Sequence, residues 1–300
     1  MEYDGRVNRY VRELHAAGNS YTSLVLKLAV EEGYAMPMAL RIVDAVLRND
    51  GQGGTLTYDP PHATRRLPAV DTSSKQSVLH LSDADAAITF EQLAPRIVVL
   101  DNFLSSQECD DLCEEALPAF APARVVDGRE HAVHAAHFRS NDTAHLAAAQ
   151  SALVRRIEAR IEQLTNWPSA CCETLQVQRY VKGQEYRPHH DFFDQGSAAH
   201  EAAMAHGGQR LATLILYLKE PDAGGATYFA NLGMRIAPRK GSALFFTYPD
   251  PGSNSGTMHG GEAILAGEKW IATQWFRERA WRNPQAADAI QSPVPHSQHH

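Results

Sequence analysis

The chain has 300 residues, 44% hydrophobic and 21% charged, which suits one large domain, or one domain with a small appendage, around a sizeable core. Its formal net charge of −7 argues against a nucleic-acid partner or an anionic membrane surface, since both need a basic face. No apolar run approaches a membrane span, the opening MEYDGRVNRY lacks the apolar centre of a signal peptide, and the four cysteines, which lack CxxC spacing, read as reduced structural thiols; a cytoplasmic protein is expected.

In chain order, Val7, Tyr10, Val11 and Leu14 follow the i, i+3, i+4, i+7 rule and predict a helix over 4–18, ended by Gly18. A second helix is expected from Ser20 to Glu32, stopped by Gly33. A third starts near Pro37, turns Leu40, Val43, Val46 and Leu47 inward, and stops by Gly51. Residues 1–50 thus form a small three-helix unit. With six Lys or Arg against seven Asp or Glu it makes a poor phosphate binder; a structural appendage fits, as does a dimerisation or partner-docking element, which leaves room for a homodimer. Residues 51–75, rich in Gly, Pro and polar side chains, read as a linker, and 283–300 as a disordered tail.

The main domain is expected over 76–282. A short strand covers Arg96 to Leu100. A helix follows, opened by a capping box from Ser105 and Glu108. Leu153, Ile157 and Ile161 predict another helix over 144–164. Short strands then alternate with turns: 174–181, 211–218, 226–230, 233–237, 242–248, 262–265 and 269–276. The expected fold is mainly β with a helical buttress, a jelly roll.

The sharpest chemical signal lies in Tyr186-Arg-Pro-His-His-Asp-Phe-Phe193. In an extended chain alternate side chains share a face, so His189 and Asp191 point together and His190 points away. One imidazole and one carboxylate on one face supply two ligands of a 2-His-1-carboxylate triad, which leaves iron(II) open positions for a co-substrate and dioxygen. A surface loop with two solvated histidines would carry the same pattern. The third ligand should come from a later strand; His200 and His206 fall in an expected loop and His296, His299 and His300 in the tail, which leaves His259. Strand alternation also puts Lys269, Ile271, Thr273 and Trp275 on one face. An inward Lys is costly unless paired, and a carboxylate ligand would pair it; a strand-end Lys reaching water is the alternative.

Taken together, Leu175-Gln-Val-Gln-Arg-Tyr180, Gly183-Gln184, Tyr186, His189-x-Asp191, Gln209 to Thr213, Tyr217, Gly224-Gly-Ala-Thr227, Phe229, Pro238 to Gly241, His259, Gly267-x-Lys269-Trp270 and Trp275 resemble, in order, the prolyl 4-hydroxylase family of 2-oxoglutarate dioxygenases, over about 95–280. The resemblance implies a double-stranded β-helix. It also implies iron(II) on His189, Asp191 and His259, and 2-oxoglutarate held through its distal carboxylate by Lys269 with hydrogen bonds from Thr227 and Tyr180. Dioxygen is then the second co-substrate and ascorbate a cofactor. Arg139, Tyr186, Arg210 and Trp275 match positions near the substrate. The implied reaction hydroxylates a C–H bond, most simply of a prolyl residue in a peptide or protein, and releases succinate and carbon dioxide. The same chemistry on a free amino acid or small metabolite is the first alternative; a non-catalytic binding module is the second. Two features depart from the family: its Arg-Thr-Ser is Arg139-Ser-Asn here, and the loop 194–209 is rich in small residues, as in loops that close over substrate.

Overall fold

A computed structural model describes residues 5–28, 32, 36–48, 67–74, 76–122, 141–248 and 255–281. The N-terminal unit comprises helices α1 (Gly5–Ala16), α2 (Tyr21–Leu26) and α3 (Met36–Arg48). They close over a core of their own, in which Val7, Val11, Leu24, Leu28, Ile42, Val43 and Val46 are buried. The rest of the expected second helix, the residues 51–66 of the expected linker, Arg139 and the tail 283–300 lie outside the described residues.

The main domain opens with β1 (Val78–His80), β2 (Asp85–Gln92) and β3 (Ile97–Asp101), then helix α4 (Ser106–Ala116), β4 (Ala121–Pro122) and β5 (Asp142–Leu146). Helix α5 (Ala152–Thr165), β6 (Leu175–Val181), β7 (Tyr186–His189), helix α6 (Ala198–Ala205) and β8 (Arg210–Lys219) follow. Seven strands complete the fold: β9 (Ala223–Gly224), β10 (Thr227–Phe229), β11 (Met234–Ile236), β12 (Ala243–Thr247), β13 (His259–Gly261), β14 (Ile264–Ala266) and β15 (Glu268–Arg277). A major sheet runs β1-β2-β3-β12-β8-β15-β6-β5-β4, a minor one β11-β10-β13-β7, and β14 pairs with β9. Every pairing among these strands is antiparallel. Two facing antiparallel sheets with helices behind the larger one make the expected jelly roll.

The central strands of the major sheet are buried on both faces, which is why they read as unbroken apolar runs. In β8, Leu214, Leu216 and Leu218 join Leu112, Ile157 and Ile161 of α4 and α5 in one core. Ile215 and Tyr217, on the other face, join Phe229, Phe246 and Tyr248 in the second core, between the sheets.

Local signals place most elements. Ser105 accepts from Glu108 N while the Glu108 carboxylate accepts from Ser105 N, so the capping box forms. Two expectations are corrected. The helix expected over 144–164 starts only at Ala152, because Ser151 caps it by accepting from Val154 N at 3.0 Å, and residues 142–146 instead pair with β6. The expected loop 194–209 contains α6, whose Ala-rich run favours helix and whose Ser197 accepts from His200 N at 3.0 Å; His200 is therefore helical. The hairpin β1–β2 went unread. No helix among the described residues is long and apolar enough to cross a membrane.

One buried cation joins the helical layer. Arg160 of α5, 2% exposed, donates to Glu108 of α4, to Asp83 and to Phe103 O, at 2.7–3.0 Å. Burial alone pushes the Glu108 carboxyl up, but the Arg160 hydrogen bonds and charge outweigh it and bring it to about 2. Arg160→Met leaves that carboxylate only the half-exposed Arg156, at 3.2 Å, and the Ser105 N–H, and is expected to cost about 3 kcal/mol in denaturant unfolding at pH 7. Because the folded value lies below the ordinary one of 4.5, the Glu108 contribution is complete above about pH 4.5 and is lost as pH falls toward 2. The gap between wild type and the Arg160→Met variant should narrow over that window.

Candidate metal centre

The register of β7 with β13 sets His189 directly opposite His259, and the rings stand 4.4 Å apart. Asp191 follows β7 and reaches back between them. Its Oδ1 lies 3.4 Å from His189 Nε2 and its Oδ2 3.6 Å from His259 Nε2. One potential ligand atom from each residue falls within 4.8 Å of the others, so the three could hold a metal ion. His189 Nδ1 faces Arg187 O at 2.9 Å and His259 Nδ1 faces Thr257 O at 3.0 Å. A carbonyl only accepts, so each ring carries its proton on Nδ1 and turns the Nε2 lone pair to the centre, the tautomer a ligating imidazole needs.

Asp191 is 7% exposed. Burial alone raises its pKa, but the imidazoles of His259 and His189 and the Arg210 guanidinium hold it well below the ordinary carboxylate range. Thr213 Oγ1 donates to Asp191 Oδ2 at 2.6 Å, and Tyr248 Oη stands 3.0 Å from that hydroxyl. Burial pushes His259 down to about 4, so it stays neutral and able to ligate. Gly260 lets the strands close here: a Cβ on it would meet Tyr186 O at 2.7 Å and the Tyr228 ring at 2.8 Å.

A pocket between the sheets holds all three residues, with Tyr180, Tyr186, Thr227, Lys269 and Trp275 also in its wall. Lys269 is 3% exposed, so it does not reach water as a strand-end side chain. Its Nζ donates to Gly225 O at 2.7 Å and has no ion-pair partner among the described residues. Burial drops its pKa to about 7. Thr227 Oγ1 accepts from Tyr217 Oη at 2.9 Å, which leaves the Thr227 proton for the pocket. Tyr186 stacks on the His189 ring at 3.8 Å. The buried Trp275 Nε1 has no acceptor among the described residues.

Arg210 is placed differently from Tyr186 and Trp275. It is absent from the pocket wall. Its guanidinium makes a two-pronged pair with Glu173 at 2.7 and 2.8 Å, donates to Asp191 O at 3.2 Å, and covers the Trp275 ring at 4.0 Å. It acts as a brace behind the site. Thr213, Tyr217 and Gly225 lie within the motifs quoted above for the resemblance but carry no assigned role there. Alternation offered a signal for the first two, as the polar members of the face Thr213-Ile215-Tyr217 in an otherwise apolar strand.

Residues 175–277 match the 2OG-Fe(II) oxygenase superfamily. The chain is 35% identical over 189 residues to prolyl 4-hydroxylase subunit alpha-1 of Gallus gallus, covering 62% of this chain but only 36% of that longer protein. It is 34% identical over 204 residues to prolyl 4-hydroxylase 1 of Arabidopsis thaliana, covering 62% of this chain and 70% of that one. Among solved structures, the viral collagen prolyl hydroxylase of Paramecium Bursaria Chlorella virus-1, in complex with 2OG, aligns at 30% identity and a TM-score of 0.46, over 60% of this chain and 94% of that one.

Asp191→Ala is expected to abolish stoichiometric manganese(II) binding in a calorimetric titration. Thr213→Val, which removes only the hydroxyl on Oδ2, should weaken it about 10- to 100-fold with the fold intact by circular dichroism.

Proposed function

The chain belongs to the prolyl 4-hydroxylase family of 2OG-Fe(II) oxygenases, and from that premise we propose that it hydroxylates a prolyl residue in a peptide or protein at the His189–Asp191–His259 centre. The observation that carries this reading is the meeting, in one buried pocket, of two imidazole lone pairs, one carboxylate and a lysine without a counter-ion. That donor set fits iron(II), and the lysine fits the far carboxylate of 2-oxoglutarate. When bound, iron(II) with 2-oxoglutarate and dioxygen supplies the oxidation that inserts one oxygen atom into a C–H bond and releases succinate and carbon dioxide.

The residues supply position and a dry, ordered site. Lys269 holds and neutralises the distal carboxylate, and the Thr227 hydroxyl donates beside it. Ile215, Ile271 and Ile264 give the pocket apolar walls. Tyr186 at the pocket wall, with the Trp275 ring and its spare N–H, suits a flat apolar ring joined to a peptide. Ascorbate belongs to the proposal as the reductant that keeps iron in the ferrous state. The names of the relatives support a prolyl substrate.

The test is oxygen transfer followed by mass spectrometry, with iron(II), 2-oxoglutarate, ascorbate and proline-rich peptides, alongside free proline. A peptide that gains one oxygen on proline with equimolar succinate is expected. Succinate with oxidation of free proline alone would replace the peptide by a small substrate, and no succinate from iron-loaded protein would defeat the proposal. Lys269→Ala should raise the KM for 2-oxoglutarate about 100-fold or more, as the loss of a charge-assisted contact. The pH dependence follows from the Lys269 value near 7. A carboxylate on Nζ favours the charged amine, so binding above pH 7 takes up a proton. Affinity should then fall as pH rises above 7, by up to about tenfold per unit. Calorimetry in two buffers of different ionisation heat reads the proton directly; no uptake would mean that the Lys269 amine is already charged before the ligand arrives.

A further inference from the structure

Lys269 is the one buried lysine among the described residues. The chain has six lysines. Lys219 and Lys240 reach the surface and pair with Glu268 and Asp110 at 2.6 Å, and Lys182 is exposed. Lys269 instead stands in the wall of the pocket between the sheets. Its amine meets little that would hold a positive charge. Nζ donates to Gly225 O at 2.7 Å, but one carbonyl serves a neutral amine as well as an ammonium. The rings of Tyr217 and Tyr180 lie 5.6 and 5.9 Å from Nζ, at the outer limit of a cation–π contact. The carboxylate that acts on the amine, Glu262, is taken up by Arg235 at 2.5 and 2.6 Å. The neighbouring Glu268, on the opposite face of β15, pairs with Lys219 and Arg179.

Burial brings the Lys269 pKa to about 7, so at pH 7.5 most of the amine is uncharged. A divalent cation on His189, Asp191 and His259 adds positive charge to the same pocket and disfavours the ammonium further. Such an amine meets an incoming end group in one of two ways. A carboxylate charges it and pairs with it. An aldehyde takes the lone pair of the neutral form and needs no counter-ion. In that condensation the nitrogen adds to the aldehyde carbon and a C–N double bond forms. The C–O bond breaks, and the oxygen leaves as water with both amine hydrogens. Lys269–NH2 and O=CH–R thus give Lys269–N=CH–R and H2O, with no change of oxidation state. Neutral, the imine suits the apolar walls of Ile215, Ile264 and Ile271. Protonated, it keeps one N–H, enough for the bond to Gly225 O. The Thr227 proton that the Tyr217 bond leaves for the pocket serves the aldehyde oxygen as a donor.

We propose that Lys269 is a site of reversible covalent capture, and that its ligand is an aldehyde acid as long as 2-oxoglutarate. The aldehyde forms an imine on Nζ, and the carboxylate turns to the His189–Asp191–His259 end of the pocket. The inference rests on the proposed function in one respect: the length is set by the two carboxylates of 2-oxoglutarate, one at each end of that pocket. Capture and co-substrate binding exclude one another, so an aldehyde acid shuts the site until the imine is hydrolysed. Selectivity follows from burial. A lysine in water is almost wholly protonated at neutral pH, and an imine formed there lies open to hydrolysis.

The test uses full-length protein loaded with zinc(II), 5-oxopentanoate as the probe, and cyanoborohydride to fix any imine as a secondary amine. Intact-mass spectrometry is expected to show a single addition, the mass of the probe less one oxygen atom, and peptide mapping to place it on Lys269. Excess 2-oxoglutarate should suppress it. Pentanal, which has the aldehyde but no carboxylate, should label Lys269 about tenfold more slowly or worse, as the loss of one charge-assisted contact. Lys269→Arg, which keeps a cation but forms no imine, should gain nothing under the same conditions, with its fold checked by circular dichroism. Equal labelling by pentanal would overturn the proposal, as would additions on Lys182, Lys219 and Lys240 at the rate of Lys269. Wild type that binds 2-oxoglutarate by calorimetry but gains nothing on Lys269 overturns the capture alone. Wild type that binds no 2-oxoglutarate, with an addition on Lys269 that 2-oxoglutarate does not suppress, overturns the proposed function and with it the ligand assigned here.

Discussion

The site depends on keeping a carboxylate ionised out of water. Asp191 lies buried between two imidazoles, of which burial keeps His259 neutral, an arrangement that costs several kcal/mol without compensating donors. The fold provides two, both from β8: Thr213 donates to Oδ2, and Arg210 donates to the Asp191 carbonyl and brings its positive charge beside the carboxylate. Each donor is held by a further partner, Arg210 by Glu173 and Thr213 by Tyr248. The remaining negative charge is what a divalent cation meets.

The two faces of the major sheet divide the labour. The face toward α4 and α5 is apolar and is closed by the Arg160 clamp. The face toward the minor sheet carries Tyr180, Thr213, Tyr217 and Lys269 among aliphatic side chains. Since β8 and β15 lie side by side in the sheet, rigidity on one face is passed to the positions of reactive side chains on the other. Polar groups reach the pocket from strands, which hold them more firmly than loops would.

Much of this was legible because strand alternation is a short-range rule. It paired His189 with Asp191, sent His190 elsewhere, and aligned Lys269 with Thr273 and Trp275. His259 came by elimination; its apposition to His189 is a matter of register between strands 70 residues apart in sequence, which no local pattern encodes. The same holds for β5, whose pairing with β6 displaced the start of a helix that apolar spacing had suggested. Arg210 shows the other limit. Its family position pointed to the substrate, but its charge is taken up by Glu173, a partner that only the folded chain brings near.

The Lys269–Gly225 contact has one more consequence. Gly225 sits at φ +71°, and a Cβ there would strike Ile264 at 2.7 Å and Pro221 at 3.0 Å, so the carbonyl that receives the amine belongs to a turn only glycine can make. The ammonium therefore has a resting acceptor built from main chain, which no side-chain substitution at that position can imitate. A ligand carboxylate that meets Nζ competes with or adds to an existing bond. The measured affinity is then a difference between two acceptors for one cation, and the geometry of a glycine turn that touches no ligand sets the baseline from which that difference is counted.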